Sequence, residues 1–247
     1  MHKGENEMSI NVTIWNEYRH ELSSEEVGKV YPKGIHNAIK DLLLTQEDFV
    51  ITTATLDMED CGLGNGVLEN TDVLIWWGHK VHDQLPDVWA DRIVERVHCG
   101  MGFIALHSAH YSKPFVRLMG GNCSLCWRDE AKEHLWCVMP SHPIAEGVPP
   151  VITLPREEMY GEPFGIPTPD ELIFIGWFSY GNVFRSGCTF YRGNGRIFYF
   201  QPGHETNPIY FREDIGKIIQ NAVRWAKPLR RVEKIEAPQI LEPLEKG

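Results

Sequence analysis

The stretch Gly102-Phe-Ile-Ala-Leu-His-Ser-Ala-His110 limits the fold more than any other part of the chain. An apolar run ends abruptly in a histidine, two small residues follow, and a second histidine closes the segment. A short, continuously apolar run reads as a strand buried on both faces, which is the habit of parallel sheets covered by helices. The first polar side chain after such a strand, on a sharp strand-to-helix turn, is held over the carboxyl edge of the sheet, where ligands bind. Enzymes with this turn place a nucleophilic Ser or Cys there. Here the position is His107, which cannot do thioester chemistry but can move a proton or bind a metal.

The flanking pattern predicts the rest of an α/β domain. Ser9 to Tyr18 and Phe49 to Leu56 read as strands, with helical spacing from Tyr31 to Leu44 between them. Cys61 to Asn70 is Gly-rich and turn-like. Thr71 to Trp77 is a second apolar run, charged only at Asp72. Pro86 opens an amphipathic helix over Leu85 to Val97, and Pro114 opens another running to Met119. The order β-α-β-β-α-β-α predicts a flavodoxin-like, mainly parallel sheet with helices on both faces. From about 120 to 195 the texture changes to Pro- and Gly-rich, with short strand runs at 134–138, 172–178 and 183–191, which predicts an antiparallel excursion. Gly193-Asn194-Gly195 marks a hairpin. Arg196 to Gln201 is a last strand and Ile209 to Ala226 a closing helix. The expectation is one domain over residues 9–227 and a tail over 228–247.

A chain of 247 residues, 43% hydrophobic, suffices for one large core. A formal net charge of −10 and the lack of a basic stripe argue against nucleic acid and against anionic membranes. No apolar run reaches the roughly 20 residues of a spanning helix. Met1 to Met8 lacks a signal-peptide core, so a cytoplasmic protein is expected, with its six cysteines as thiols. No nucleotide-binding motif suggests a nucleotide cofactor. Self-association into a homo-oligomer stays open.

Several of the eleven histidines follow predicted strands: His20, His79 and His82, His107 and His110, and His204 beside Glu205. In a parallel sheet these strand ends share one edge, so distant segments bring imidazoles into one crevice. Two chemistries fit. His20, His79, His107 and His110 include enough neutral donors for zinc or another divalent metal with an open position. Alternatively His107 and His204 form an acid–base pair, with Glu205 or Glu17 fixing a tautomer.

Cys123-Ser-Leu-Cys126 with His134 and Cys137 forms a competing set. Strand alternation puts His134 and Cys137 on opposite faces, so these thiols are expected to pack rather than bind zinc. Aromatic faces at Trp77, Tyr160 and Trp177 could stack on a sugar ring. Glu17 and Glu158 could accept hydroxyl hydrogen bonds, and Arg185 could orient a polar substrate.

Five stretches together resemble the ThuA-like, trehalose-utilisation family, whose fold is similar to class I glutamine amidotransferases: Val73-Leu-Ile-Trp-Trp-Gly-His79, Leu106-His-Ser-Ala-His110, His142-Pro-Ile-Ala-Glu-Gly147, Glu157-Glu-Met-Tyr-Gly-Glu162 and Phe200-Gln-Pro-Gly-His-Glu205. The resemblance puts His107 where an amidotransferase carries its Cys, and His204-Glu205 where its His and Glu stand. It implies a role in disaccharide catabolism on an oxidised (keto) sugar, as a hydrolase, lyase or isomerase, and no glutaminase activity. The alternatives are a non-catalytic sugar-binding or regulatory protein on the same scaffold, or an amidotransferase with an unusual nucleophile. Cys99, the nearest upstream thiol, precedes the elbow strand.

Overall fold

A computed structural model describes residues 9–237, 239–242 and 245; the Met1–Met8 segment lies outside them. In chain order the elements are β1 (Ile10–Asn16), α1 (His20–Ser23), α2 (Glu25–Val30), α3 (Ile35–Leu43), β2 (Phe49–Thr55), α4 (Val67–Asn70), β3 (Val73–Trp77), α5 (Asp87–His98), β4 (Gly102–Leu106), α6 (Lys113–Met119), β5 (Cys126–Cys137), β6 (Val151–Gly161), β7 (Glu171–Phe178), β8 (Val183–Arg192), β9 (Gly195–Phe200) and α7 (Glu213–Ala226). Among the described residues no helix is long and apolar enough to cross a membrane.

Among the described residues nine strands share one sheet, ordered β2-β1-β3-β4-β9-β8-β7-β5-β6. The half from β2 to β9 is parallel. From β9 outward every pairing is antiparallel. The sheet is therefore mixed rather than mainly parallel. The expected excursion is no separate appendage, because β8 hydrogen-bonds directly to β9 through a hairpin and the other strands add on beyond it. The hairpin turns at Gly193-Asn194, with Arg192 opposite Gly195 and Gly193 at φ 59°.

The apolar run of β3 shows why a double-sided core follows from its sequence. Val73, Ile75 and Trp77 point into one layer with α3 and α7, while Leu74 and Trp76 point into the other with α5 and α6. All five are buried. The strand β4 repeats the division, with Ile104 and Leu106 on the first side and Phe103 and Ala105 on the second.

Helix boundaries follow local chemistry. The predicted 31–44 helix begins only at Ile35, because Gly34 sits at φ 84° and cannot continue a helix backward. The buried Glu21 carboxylate accepts the Ile35 N–H at 3.0 Å, where an anion suits the positive end of α3. The 209–226 helix is shorter than expected, since Ile209–Phe211 forms a separate 3₁₀ turn before α7. The first part of the tail lies against the body, where Val232 N–H donates to Cys99 O at 3.0 Å and Arg231 pairs with Asp72.

Candidate active site

His107 closes β4 with φ 51°, a backbone state that costs a non-glycine residue about 1–3 kcal/mol. This strained turn is the elbow the sequence suggests. The side chain is fully buried. The Gln201 carbonyl can only accept, so His107 Nδ1, 2.8 Å away, donates to it. That leaves Nε2, which stands 3.0 Å from Glu158 Oε2 and 3.3 Å from the Tyr160 hydroxyl. The Tyr160 ring stacks on the imidazole at 4.9 Å. Burial resists a charge on His107, but the Glu158 carboxylate outweighs it, with Glu157 and Glu205 helping, and the pKa rises to about 9. Burial likewise resists charge on Glu158, and His107 overcomes it, holding that carboxyl below its usual range. The two form a buried ion pair.

Two loops supply His79 and His204, and a buried carboxylate holds each; His20 comes from α1. Glu157 accepts the N–H of Gly203 at 3.1 Å and of His204 at 3.0 Å, as well as that of Glu158 at 3.0 Å. The loop comes so near the elbow that a Cβ on Gly203 would lie 2.1 Å from the Tyr210 hydroxyl and 3.4 Å from His107 Cβ. Glu17 accepts the N–H groups of His79, Lys80 and Val81 at 2.9 to 3.1 Å. His204 meets His107 edge-on, with ring centres 5.5 Å apart, and its Nδ1 lies 2.7 Å from the Thr206 hydroxyl. Burial, helped by the positive His107, keeps His204 below the usual histidine range; burial also depresses His79, against the pull of Glu205.

Glu205 joins these parts. Its Oε1 lies 2.8 Å from His20 Nδ1, 3.6 Å from His204 Nε2 and 3.9 Å from His79 Nε2. Burial raises its pKa, but His20 and the other imidazoles more than offset that and hold it well below the carboxylate range. Above this group opens a cavity of ≈ 530 Å³, lined by Glu158, Tyr160, His79, His204 and Glu205 and by the exposed Trp127.

The structure thus gathers His20, His79, His107, His204, Glu158, Tyr160 and Glu205 at the carboxyl edge of the parallel strands. Other expected residues have other duties. Glu17 is saturated by backbone donors, so it positions a loop rather than meeting hydroxyls. Trp77 is wholly buried, and its indole N–H donates to Gly203 O at 3.2 Å. His110 lines the cavity, but its Nδ1 is fixed 2.8 Å from Cys123 O. Trp177 lies outside the cavity, half-exposed and stacked on His134. Arg185 is also outside, bound through two nitrogens to Glu162 at 2.7 and 2.9 Å. All six cysteines are free; Cys123 is buried and Cys126 exposed. Sequence reasoning missed the clamp role of Glu157 and the whole of β6, which carries Glu157, Glu158 and Tyr160 in one run. Its signal was the alternation of Ile152 and Leu154, masked by Pro155 and Arg156.

A family model described as ThuA, trehalose utilisation, matches residues 11–226. No curated protein matches the chain. Among solved structures, a ThuA-like protein from Parabacteroides merdae is similar with TM-score 0.67 at 15% identity, over 91% of this chain and 93% of that one. One from Bacteroides uniformis has TM-score 0.64 at 17% identity, covering 91% and 94%. A glutamine amidotransferase from Thermotoga maritima has TM-score 0.51 at 11% identity, covering 87% and 97%, and shares the fold.

Proposed function

Because the chain belongs to the ThuA, trehalose-utilisation, family, we propose that it is an enzyme of disaccharide catabolism that moves protons on an oxidised sugar. The observation that carries this reading is the His107–Glu158 pair, 3.0 Å apart beneath the cavity and facing His204. Glu158 and His204 line the cavity, whereas His107 lies behind Glu158. Glu158 and His204 are therefore the catalytic groups, and His107 is the positioning residue that shares its proton with Glu158.

The chemistry suits a ketone flanked by a C–H bond. The neutral His204 imidazole takes the proton from the carbon next to the carbonyl. The released electron pair forms a carbon–carbon double bond as the bond to the leaving oxygen on the following carbon breaks. Glu158 passes the His107 proton to that oxygen. Such acid–base assistance is worth about 10²- to 10⁴-fold. His107 in the elbow removes the thiol that glutamine hydrolysis needs, so the reading excludes a glutaminase.

The test is release of the free sugar from a 3-keto derivative of trehalose, together with exchange of its α-proton in deuterated water. His204→Ala should lose about 10²- to 10⁴-fold in kcat with its fold retained. Failure of the wild-type protein to bind or turn over any keto-glycoside would reject the proposal.

A further inference from the structure

We propose that His20, His79 and Glu205 form a site for one divalent first-row transition ion at the floor of the cavity, separate from the His107–Glu158 pair. The donor atoms come from α1, from the loop after β3 and from the loop after β9, and all lie within 4.8 Å of one another. Metal bonds of about 2.1 Å at tetrahedral angles set donors roughly 3.4 Å apart. The two measured separations from Glu205 Oε1, 2.8 and 3.9 Å, bracket that figure. A hydrogen bond from His20 alone would account for the first distance only. His79 Nε2 is too far from Oε1 to bond it directly, yet well placed to share an ion with it.

The second observation is Glu205 itself. Its side chain is only 2% exposed, and its Oε2 has no hydrogen-bond partner among the described residues. A buried carboxylate oxygen left unpaired is costly, and a cation removes that cost. The loops also hold their donors without an ion, since Glu17 fixes His79 by its backbone and Glu157 fixes the residue before Glu205.

Among the described residues two other donor sets occur, His107 with His204 and Glu205, and Asp129 with Glu158 and His204. In the first, His107 Nε2 already faces Glu158 at 3.0 Å; in the second, Glu158 is committed to the same contact and Asp129 is exposed. His110 belongs to none of the three. Two imidazoles and one carboxylate suit zinc, manganese or iron(II) and leave positions open. His79 and Glu205 border the cavity, so those positions face it, where an ion would polarise a carbonyl oxygen.

This inference does not depend on the keto-sugar reading, and its test uses no substrate. Chelator-treated protein is titrated with Zn²⁺ by calorimetry, and metal content is measured on protein never exposed to chelator. The expected result is about one equivalent per chain and a rise in melting temperature on loading. His79→Ala and His20→Gln should each weaken binding at least tenfold, while His107→Gln and His110→Gln, checked for folding by circular dichroism, should bind as the wild type. No uptake of Zn²⁺ by folded wild-type protein would overturn the assignment. So would loss of the ion in His107→Gln with retention in His79→Ala.

Discussion

Glu17 offers the sharpest division between a structural and a substrate-binding carboxylate. Its Oε2 accepts from His79 and Val81 at 2.9 and 3.0 Å, and Lys80 N–H reaches Oε1 at 2.9 Å. A Gln at this position can place its carbonyl oxygen at Oε2 and keep the bonds from His79 and Val81, with only the longer 3.1 Å contact left to Lys80 N–H. Its NH₂ group then faces the Lys80 N–H, donor against donor. The shorter of the two Lys80 bonds to a charged group, worth about 1.5–3 kcal/mol, is lost. Glu17→Gln should therefore cost about 2–3 kcal/mol, and Glu17→Ala more, since it strands all three donors. For a domain of this size that is a fall in Tm on the order of 8 °C. Urea denaturation followed by tryptophan fluorescence reads the change directly. If Glu17 instead bound substrate hydroxyls, Glu17→Gln would raise KM and leave stability untouched. A variant within roughly 0.5 kcal/mol of wild type would refute the clamp.

Two further outcomes follow from the same site. Burial depresses His110 to about 3, so between that value and 6.5 the unfolded chain holds a proton that the folded chain does not; stability is complete above 6.5 and falls by roughly 2 kcal/mol by pH 5. Urea midpoints of wild type and His110→Gln should converge as pH drops from 7 to 5, and parallel curves would show that His110 is not the group responsible. Incubation with glutamine should release no ammonia above the rate without enzyme, measured by a coupled assay, and ammonia lost on His204→Ala would reverse that conclusion.

The elbow was legible because its message is local. A five-residue apolar strand, a histidine and small residues need no distant partner to be read, and the same holds for β3, α5 and the Gly193-Asn194 turn. The strand β6 was illegible because it inverts the usual rule. Glu157, Glu158, Met159, Tyr160 and Gly161 are all buried, yet the run Pro155-Arg156-Glu157-Glu158 carries the composition of a solvated loop. What buries the two glutamates is the backbone of residues 203–204 and the ring of His107, 46 to 51 positions away along the chain. Glu17 stands out by its charge next to a strand end, but its partners at 79–81 lie more than 60 residues on, so its role as a clamp has no local sign. Trp177 and Arg185 were plausible by residue type. The sheet places them beyond the cavity, and no spacing within one strand reveals how far along the sheet that strand will add.

These clamps also explain how a scaffold can keep its elbow while changing its chemistry. A nucleophilic elbow needs one reactive atom presented over the sheet edge. An imidazole there delivers no covalent chemistry of its own unless a second group gives it direction. Here the Gln201 carbonyl fixes one nitrogen and Glu158 engages the other, so the buried ring becomes a proton store for a carboxylate that does meet the cavity. The loop carrying His204 and Glu205 stays in place because Glu157, the neighbour of Glu158 on β6, accepts its N–H groups. Adjacent glutamates on one strand thus divide the work: one holds the opposing loop and the other, paired with His107, borders the cavity. Exchanging either for Gln should expose that division in urea denaturation and turnover: Glu157→Gln loosens the loop and lowers stability, whereas Glu158→Gln breaks the buried ion pair with His107, lowers stability as well and abolishes turnover, because the partner that keeps His107 charged is gone.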